Sequence, residues 1–256
     1  MTLGCQLTII RLEGYGPWTL ELGSDREHQL QILQARIYAD LQSFFSDENG
    51  IVFFNRFDEF ITISNQISLQ RHKVIHEKLS KKYNQVKISM TIASGVTPLE
   101  ADHKIQMIKK NREKYIAFPS IFASIENSSS EHEDNLKIIH IDVDSSTAIA
   151  NELSSYEITN LLIKIHSMVS DVFLKEDSLT FFLGGDNFMI VAKNSIKMEK
   201  ILEILENIKD VTGVKFNCGI GSGVNARTAV KLATKSLDQI RELRKNGKIM
   251  HVIESN

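Results

Sequence analysis

The chain has 256 residues, 42% of them hydrophobic, and its 30 basic and 32 acidic side chains leave a net charge of −2. This composition is typical of a folded globular protein and excludes disordered and fibrous classes. The near-neutral charge gives no electrostatic reason to expect a nucleic acid or an anionic membrane as partner. No apolar run approaches the ~18 residues of a membrane span, and the first residues do not resemble a secretory leader, so we expect a cytoplasmic protein.

Cysteine usage restricts the chemistry further. Only Cys5 and Cys218 are present, so the sequence predicts neither a disulfide framework nor the Cys/His cluster of a zinc site. Any metal chemistry should therefore depend on carboxylates.

The hydrophobic periods alternate along the chain between two, typical of strands, and 3.6, typical of helices. In the first half they predict a strand at 7–12, a helix at 26–46, hairpin strands at 51–54 and 60–64, a helix at 67–83, a strand at 87–93 and a helix at 98–115. In the second half they predict a strand at 137–143, a helix at 156–174, a hairpin at 179–192, a helix at 197–209, a strand at 214–220 and a helix at 226–245. This βαββαβα order predicts an α+β fold with a ferredoxin-like sheet, helices on one face and the other face open.

The two halves also match in sequence. Residues 51–63 lie over 179–191, and residues 86–101 lie over 214–229, both at an offset of 128. We therefore predict two tandem ferredoxin-like modules related by internal duplication, at 1–123 and 136–256, joined by the Ser/Glu/Asn-rich linker 124–135. Because an open sheet face does not easily stay wet, we also expect a homo-oligomer.

Two aspartates stand out in the second module. The ferredoxin-like plan places the hairpin that carries Asp186 at the carboxyl end of the strand that carries Asp142, on strands ~4.8 Å apart. Carboxylates so close repel unless a cation or proton intervenes, and Mg²⁺ suits one or two protein carboxylates with phosphate oxygens completing its shell. The alternative is ordinary hairpin chemistry, in which an aspartate at a strand end serves a Gly-Gly-Asp-Asn turn.

Neighbouring segments offer phosphate ligands and a base. Backbone N–H groups and hydroxyls follow Asp142 ahead of a helix, and the hairpin glycines allow a ligand to approach closely. These candidate substrate-binding residues are Asp144, Ser145, Ser146, Thr147, Gly184, Gly185 and Asn187. His140 shares a strand face with Asp142 and has a suitable pKa for a general base, although most strand histidines are simply hydrogen-bonded.

Candidate ligand-binding residues occur elsewhere as well. Tyr15, Gly16, Pro17 and Trp18 follow the first strand, and their aromatic rings either wall a guanine pocket or belong to a packed loop. Arg56 at a hairpin tip and Arg241 in the last helix are donors for phosphate or base, with surface ion pairing as the alternative.

Several motifs resemble known families. Asp142-Val143-Asp144, the run FLGGDNF at 182–188 and CGIG at 218–221 resemble the metal strand, GGDEF hairpin and following strand of palm-type nucleotidyl and diguanylate cyclases. The string GYGPWT at 14–19, with 30–41 and 53–58, is similar to the archaeal GTP cyclohydrolase III family, a tandem relative of those cyclases. Both modules are then palm-like, and the resemblance spans nearly the whole chain.

The resemblance implies an Mg²⁺-dependent hydrolase that opens the imidazole ring of GTP. Its product would be 2-amino-5-formylamino-6-ribosylamino-4(3H)-pyrimidinone 5′-monophosphate, with the outer phosphates released as orthophosphate. By motif match, Asp142, Asp186 and the backbone carbonyl of Val143 would hold the metal.

Departures from the motifs leave alternatives open. Asn187 stands where diguanylate cyclases commonly carry glutamate, and Glu13 replaces the aspartate expected in the first module. Glu13 and Asp58 form either a second, altered metal pair or a vestige. Besides the hydrolase, a nucleotidyl or diguanylate cyclase that releases pyrophosphate and a non-catalytic guanine-nucleotide-binding module remain possible functions.

Overall fold

The computed structural model describes residues 4–124, 135–144, 149 and 151–255. Contacts divide the chain into two compact units. The first unit comprises Met1–Val96, Glu100–His132 and Asn225–Arg227, and the second comprises Thr97–Leu99, Glu133–Val224 and Thr228–Asn256.

The sheet of the first unit has six strands. In chain order the elements are β1 (Cys5–Glu13), α1 (Tyr15–Glu21), α2 (Arg26–Ser46), β2 (Ile51–Arg56), β3 (Glu59–Ile63), α3 (Leu69–Lys82), β4 (Lys87–Gly95), α4 (Pro98–Lys110), a 3₁₀ turn (Arg112–Lys114), β5 (Ile116–Phe118) and β6 (Ile121–Ser124). The strand order is β2-β3-β1-β4-β6-β5.

The sheet of the second unit has five strands. Its elements are β7 (Leu136–Val143), α5 (Ser155–Lys175), β8 (Leu179–Gly184), β9 (Asn187–Ala192), α6 (Met198–Thr212), β10 (Phe216–Gly223), α7 (Ala226–Lys245) and β11 (Val252–Ser255). The strand order is β11-β10-β7-β9-β8.

Both sheets contain the same four-stranded centre. The second strand of each module forms a hairpin with the third, which pairs with the first, and the first pairs antiparallel with the fourth. This is the ferredoxin-like order, so the predicted α+β fold with two tandem modules is confirmed. Among the described residues, no helix combines the length and apolar character needed to cross a bilayer.

The main errors of the sequence prediction lie beside this centre. The helix predicted at 98–115 ends at Lys110, because the Asn111 side chain donates to the carbonyl of Met107 at 3.2 Å and closes the last turn. The chain then forms the hairpin β5–β6. Helix α1 and strand β11 were also not predicted, since each is too short to show a clear period.

Helices α5 and α6 cover one face of the second sheet. Ile139, Ile141 and Val143 of β7 point into this core with Ile165 of α5 and Ile201 of α6. Helix α5 begins at a capping box, in which Ser154 and Glu157 exchange side-chain and backbone hydrogen bonds. The alternation of β7 therefore directs His140 and Asp142 to the opposite face.

That opposite face is not open, and the prediction of an uncovered sheet is wrong for the second unit. A Cβ atom built on Gly219 of β10 would stand 2.1 Å from the carbonyl oxygen of Ala233 in α7, and one on Gly221 would stand 2.3 Å from that of Ala229. Helix α7 thus lies backbone against backbone on β10, which only glycine allows. The loss of this open face removes one argument for self-association, and the homo-oligomer stays a prediction.

Most of the predicted linker lies outside the described residues. Ser124 belongs to β6, and residues 125–134 lie outside the described residues. The boundaries 1–123, 124–135 and 136–256 therefore stay a prediction.

Candidate functional site

The strand register brings Asp142 and Asp186 to one end of the second sheet. Asp142, near the end of β7, is paired with Asn187, the first residue of β9. The backbone N–H of Val143 donates to the carbonyl of Asp186 at 3.2 Å. Two aspartates 44 positions apart in the chain therefore lie side by side, because β9 runs antiparallel to β7 and begins where β7 ends.

The surroundings of Asp142 disfavour its charged form. Burial raises the pKa of this carboxyl, and the neighbouring carboxylate of Asp186 raises it further. Opposing effects from Arg241 and Asn217 are too small to cancel the rise. A bound proton or a cation would thus relieve the repulsion between the two aspartates.

Asp186 is held by a chain of hydrogen bonds that leads to His140. The amide nitrogen of Asn187 donates to Asp186 Oδ1 at 2.8 Å, which leaves the amide oxygen to face His140 Nε2 at 3.1 Å. The network thus assigns the proton of a neutral His140 to Nε2, and Nδ1 faces the hydroxyl of Thr234 at 3.5 Å. Burial lowers the pKa of His140 and favours this neutral form.

Asp142 is held by a second set of polar contacts, supplied by β10 and α7. Arg241 Nη2 lies 3.4 Å from Asp142 Oδ2, and Asn217 is the register partner of Asp142 on β10. Arg244 donates to the side-chain oxygens of both Asn217 and Asp144, at 2.7 and 2.6 Å. Thr234, Arg241 and Arg244 share one face of α7 because their spacings are seven and three residues.

The hairpin tip can approach a ligand closely. Gly184 and Gly185 have φ values of +94° and +60°, and a Cβ atom on either would meet no atom within 4 Å. This left-handed backbone favours glycine, and the space around it is open. The candidate phosphate ligands Ser145, Ser146 and Thr147 lie outside the described residues.

The donor set fits a hard divalent cation better than zinc. In residues 4–124, 135–144, 149 and 151–255, no group of three or more His, Cys, Asp or Glu side chains could hold a metal ion. Mg²⁺ does not require one, because one or two carboxylates suffice when substrate phosphates supply the other oxygens. Asp142 and Asp186 would provide such a pair, and the neighbouring carboxylate that raises the pKa of Asp142 is in keeping with a cation between them.

The first unit has a corresponding carboxylate that is already neutralised. Glu13 ends β1, accepts a hydrogen bond from Ser89 at 2.6 Å and forms an ion pair with Arg112 at 2.6 Å. Burial alone would raise the pKa of Glu13, but these two partners outweigh burial and lower it. Ser89 occupies the position in β4 that Asn217 occupies in β10 at the offset of 128.

The hairpin of the first unit is neutralised as well. Asp58 lies 3.5 Å from Arg56 Nε and 3.8 Å from Arg11 Nε. Glu59, which is buried, pairs with Lys109 at 2.7 Å and with Arg56 at 3.2 Å. Protein cations thus stand where a metal would have to bind, which favours the vestige over a second metal pair.

The GYGPWT string forms helix α1 and its start. Tyr15 and Trp18 pack against the core of the first unit, whereas Gly16 and Pro17 are exposed. The buried side chain of Gln34 donates to Tyr15 Oη at 2.7 Å and to the carbonyl of Phe57 at 3.2 Å, and so connects α1 to the hairpin tip. These contacts account for a packed element, and a guanine pocket at Tyr15 and Trp18 stays a prediction.

Sequence reasoning missed three residues that organise these sites. Asn217 and Gln34 are polar residues in buried positions, a signal that is visible only once strand and helix faces are assigned. Arg244 lies three residues after Arg241 and therefore on the same helix face, which the spacing alone could have shown.

Comparison with known proteins identifies the family. A family model described as GTP cyclohydrolase III matches residues 7–254. The GTP cyclohydrolase III of Methanobrevibacter smithii is 35% identical over 253 residues, which cover 97% of this chain and 98% of that relative. That of Methanocaldococcus jannaschii is also 35% identical, over 240 residues that cover 92% of this chain and 88% of the relative.

Among solved structures, the active GGEEF domain of a diguanylate cyclase from Vibrio cholerae is similar over 48% of this chain and 85% of its own, with 17% identity and a TM-score of 0.37. The family assignment is based on the sequence matches, which extend over almost the whole chain and over most of each relative. The chain belongs to the GTP cyclohydrolase III family.

Proposed function

We propose that this chain is an Mg²⁺-dependent GTP cyclohydrolase III of the cytoplasm. The substrate is GTP, and the product is 2-amino-5-formylamino-6-ribosylamino-4(3H)-pyrimidinone 5′-monophosphate with orthophosphate. The observation that carries this proposal is the convergence of Asp142 and Asp186 at one end of the second sheet, in a chain whose relatives bear the name GTP cyclohydrolase III.

The proposed reaction consumes three water molecules. One water adds to C8 of the guanine, the C8–N9 bond breaks, N9 takes up a proton, and C8 stays on N7 as the formyl group. Two further waters cleave the two phosphoanhydride bonds, which leaves the 5′-monophosphate and two orthophosphates.

Asp142, Asp186 and the carbonyl of Val143 would hold Mg²⁺, which would neutralise the triphosphate and polarise its oxygens. The protein supplies the rest of the site. Arg241, half exposed beside Asp142, can turn its guanidinium toward a phosphate, and the open glycine turn at 184–185 leaves room for one.

His140 holds the hairpin in place in this scheme. Its Nε2–H donates to Asn187, which in turn donates to Asp186 and fixes that carboxylate. Its Nδ1, the only atom able to accept a proton, faces Thr234 under helix α7. The general-base role expected for His140 stays a prediction, and a base test must measure turnover and hairpin position separately.

Product analysis tests the proposal. Incubation of the full chain with GTP and Mg²⁺ should remove the C8 proton signal in NMR, produce a formyl proton signal and release two orthophosphates per GTP. Pyrophosphate with a cyclic nucleotide would instead establish the cyclase, and unchanged GTP would favour a binding module. Asp186→Asn is the matched control, because it keeps the shape of the side chain and removes its charge.

A further inference from the structure

We propose that Arg244 is a positioning residue that aims the amide of Asn217 at Asp142 and so fixes the carboxylate toward the divalent cation. This inference rests on the proposed function, because it concerns the same cation site. Arg244 itself does not contact Asp142 in the described hydrogen bonds, and it acts through Asn217 on β10 and Asp144 after β7.

The first step is the orientation of the Asn217 amide. Arg244 Nη2 donates to Asn217 Oδ1 at 2.7 Å, and a guanidinium has no acceptor atom, so it fixes the oxygen of the amide on its own side. The amide N–H₂ then faces Asp142, its register partner across β7 and β10. Asn217 is only 3% exposed, so water cannot substitute for either contact.

The second step is the effect on Asp142. A flipped amide would present its oxygen to the carboxylate, and two acceptors would then repel at a site where Asp186 already repels. With the orientation seen, the N–H₂ end of the Asn217 amide is the end directed to its register partner Asp142, because Arg244 holds the oxygen end. A donor on that side favours the rotamer of Asp142 that turns a carboxylate oxygen toward the cation.

The second arm of the guanidinium acts on the neighbouring backbone. Arg244 Nη1 donates to Asp144 Oδ1 at 2.6 Å, while the N–H of Asp144 donates to the carbonyl of Lys215 at 2.8 Å. One planar fork thus contacts both Asp144, which follows β7, and Asn217 of β10, the register partner of Asp142. A lysine ammonium is a point donor and does not reproduce this two-armed geometry.

The first unit shows the arrangement that does without such a residue. Ser89 replaces Asn217 and donates directly to Glu13, and a hydroxyl rotates to suit its acceptor. Arg112 binds the Glu13 carboxylate itself. An amide has two different ends and needs a third group to orient it, whereas a hydroxyl does not, and this difference supplies a test.

The charge of Arg244 and its positioning role predict opposite effects on cation affinity when Arg244 is replaced. Removing a positive charge close to a cation site should tighten cation binding, because it removes a like-charge repulsion. Losing the orientation of Asn217 should weaken cation binding, as loss of an outer-shell partner typically does by ~10–100-fold. The other donors near this network are His251, whose Nδ1 lies 3.4 Å from Asn217 Oδ1, and Arg241 on Asp142.

The experiment measures Mn²⁺ binding to the full chain by calorimetry, without nucleotide, so that turnover does not enter. We expect Arg244→Gln to raise the Mn²⁺ dissociation constant by ~10-fold. Arg244→Lys, which keeps the charge, should also weaken binding and serves as the second variant if glutamine impairs folding. Lys245→Gln removes an exposed charge at the same helix end and is the control, with the affinity expected to stay as in the unaltered chain.

A second background tests the path through Asn217. In an Asn217→Ser chain, whose hydroxyl copies Ser89, Arg244→Gln should raise the Mn²⁺ dissociation constant by less than ~3-fold, since no amide remains to be oriented. Tighter or unchanged Mn²⁺ binding in Arg244→Gln, or an equal loss in both backgrounds, would overturn the proposal. If the unaltered chain bound no Mn²⁺, the cation site of the proposed function would fail too. If it bound Mn²⁺ and opened GTP while Arg244→Gln matched it, only the present inference would fail.

Discussion

The two units place carboxylates at corresponding points of their two similar sheets. They differ in whether basic side chains of the protein neutralise these carboxylates. In the first unit, Glu13 and Asp58 are paired with arginines of the same unit. In the second unit, Asp142 and Asp186 face each other, and the contact from Arg241 is long at 3.4 Å. The same fold therefore holds one pair of carboxylates that arginines neutralise and one pair that still repel each other.

The pKa values of the two equivalent carboxyls express this difference. Burial raises both, but the partners of Glu13 reverse the effect and those of Asp142 do not. A carboxylate that its own protein has neutralised offers little to a metal ion, because the ion would have to displace an arginine. A carboxylate with a raised pKa gains from any cation that reaches it.

Exchanging aspartate for asparagine in the two hairpins should produce the largest contrast. Asp186→Asn should lower turnover by more than ~100-fold, because we propose Asp186 as a direct ligand of the cation and loss of even an outer-shell partner costs ~10–100-fold. Its stability should stay within ~1 kcal/mol, since it removes a repulsive charge. Steady-state kinetics with GTP and urea unfolding measure the two effects.

Asp58→Asn is the matched variant in the first unit, and it should leave turnover close to that of the unaltered chain. It loses ion pairs with Arg11 and Arg56, which are partly exposed, so the stability cost should be at most ~1 kcal/mol. Equal losses of turnover in both variants would contradict the assignment of the cation site to the second unit alone.

The second largest expected effect is a loss of stability when the close contact of β10 with α7 is disturbed. Gly219→Ala places a Cβ atom 2.1 Å from the carbonyl oxygen of Ala233, so the helix must shift, at a cost of ~3 kcal/mol for overpacking. At the aligned position the first unit carries Thr91, so its sheet does not depend on this contact. Urea unfolding checks the value, with Ser222→Ala in the same strand as the control. A loss below ~0.5 kcal/mol would show that α7 does not lie where the structure has it.

The centre of each sheet could be predicted from the sequence because its signals are local or repeated. Periodicity located the helices 26–46 and 226–245 with the observed bounds, and the offset of 128 aligned the modules. The approach of Asp142 to Asp186 followed from the ferredoxin-like order, since that order alone decides which strand ends meet.

The position of α7 could not be predicted, because periodicity shows that a helix has an apolar face and not which side of the sheet that face covers. The glycines of β10 belong to the CGIG motif, but only the position of Ala233 opposite Gly219 shows why a side chain does not fit there. The roles of Asn217 and Arg244 depend on contacts between β7, β10 and α7. Arg244 and Asn217 are 27 positions apart and Arg244 and Asp144 are 100 apart, and no sequence period extends across either separation.

Replacing the two equivalent strand-end carboxyls, Glu13 and Asp142, by amides should change the free energy of unfolding in opposite directions. Glu13→Gln should lower the free energy of unfolding by ~1 kcal/mol, because it weakens the hydrogen bonds and ion pair with Ser89 and Arg112. Asp142→Asn should leave it unchanged or raise it by up to ~1 kcal/mol in EDTA, because a buried, repelled charge disappears. Guanidinium unfolding at pH 7 measures both, and loss of stability in both variants would contradict the contrast.

The smallest expected effect is a difference in pH dependence. The pKa of Asp142 is raised above its ordinary value of 3.8, so the folded state binds this proton more tightly than the unfolded state. Its stabilising contribution is complete at low pH and is lost as the pH rises through the folded pKa. The pKa of Glu13 is lowered from 4.5, so its contribution is present at higher pH and is lost as the pH falls through the folded value.

In EDTA, the free energy of unfolding of the unaltered chain should therefore fall relative to that of Asp142→Asn as the pH rises from 3 to 7. Relative to Glu13→Gln, the free energy of unfolding of the unaltered chain should rise over the same pH range. Saturating Mg²⁺ should abolish the first trend and leave the second, because the cation replaces the proton at Asp142 while Arg112 already occupies Glu13. A pH dependence of the Asp142 difference that is indifferent to Mg²⁺ would mean that the cation binds elsewhere, and the contrast between the two units would then be one of burial alone.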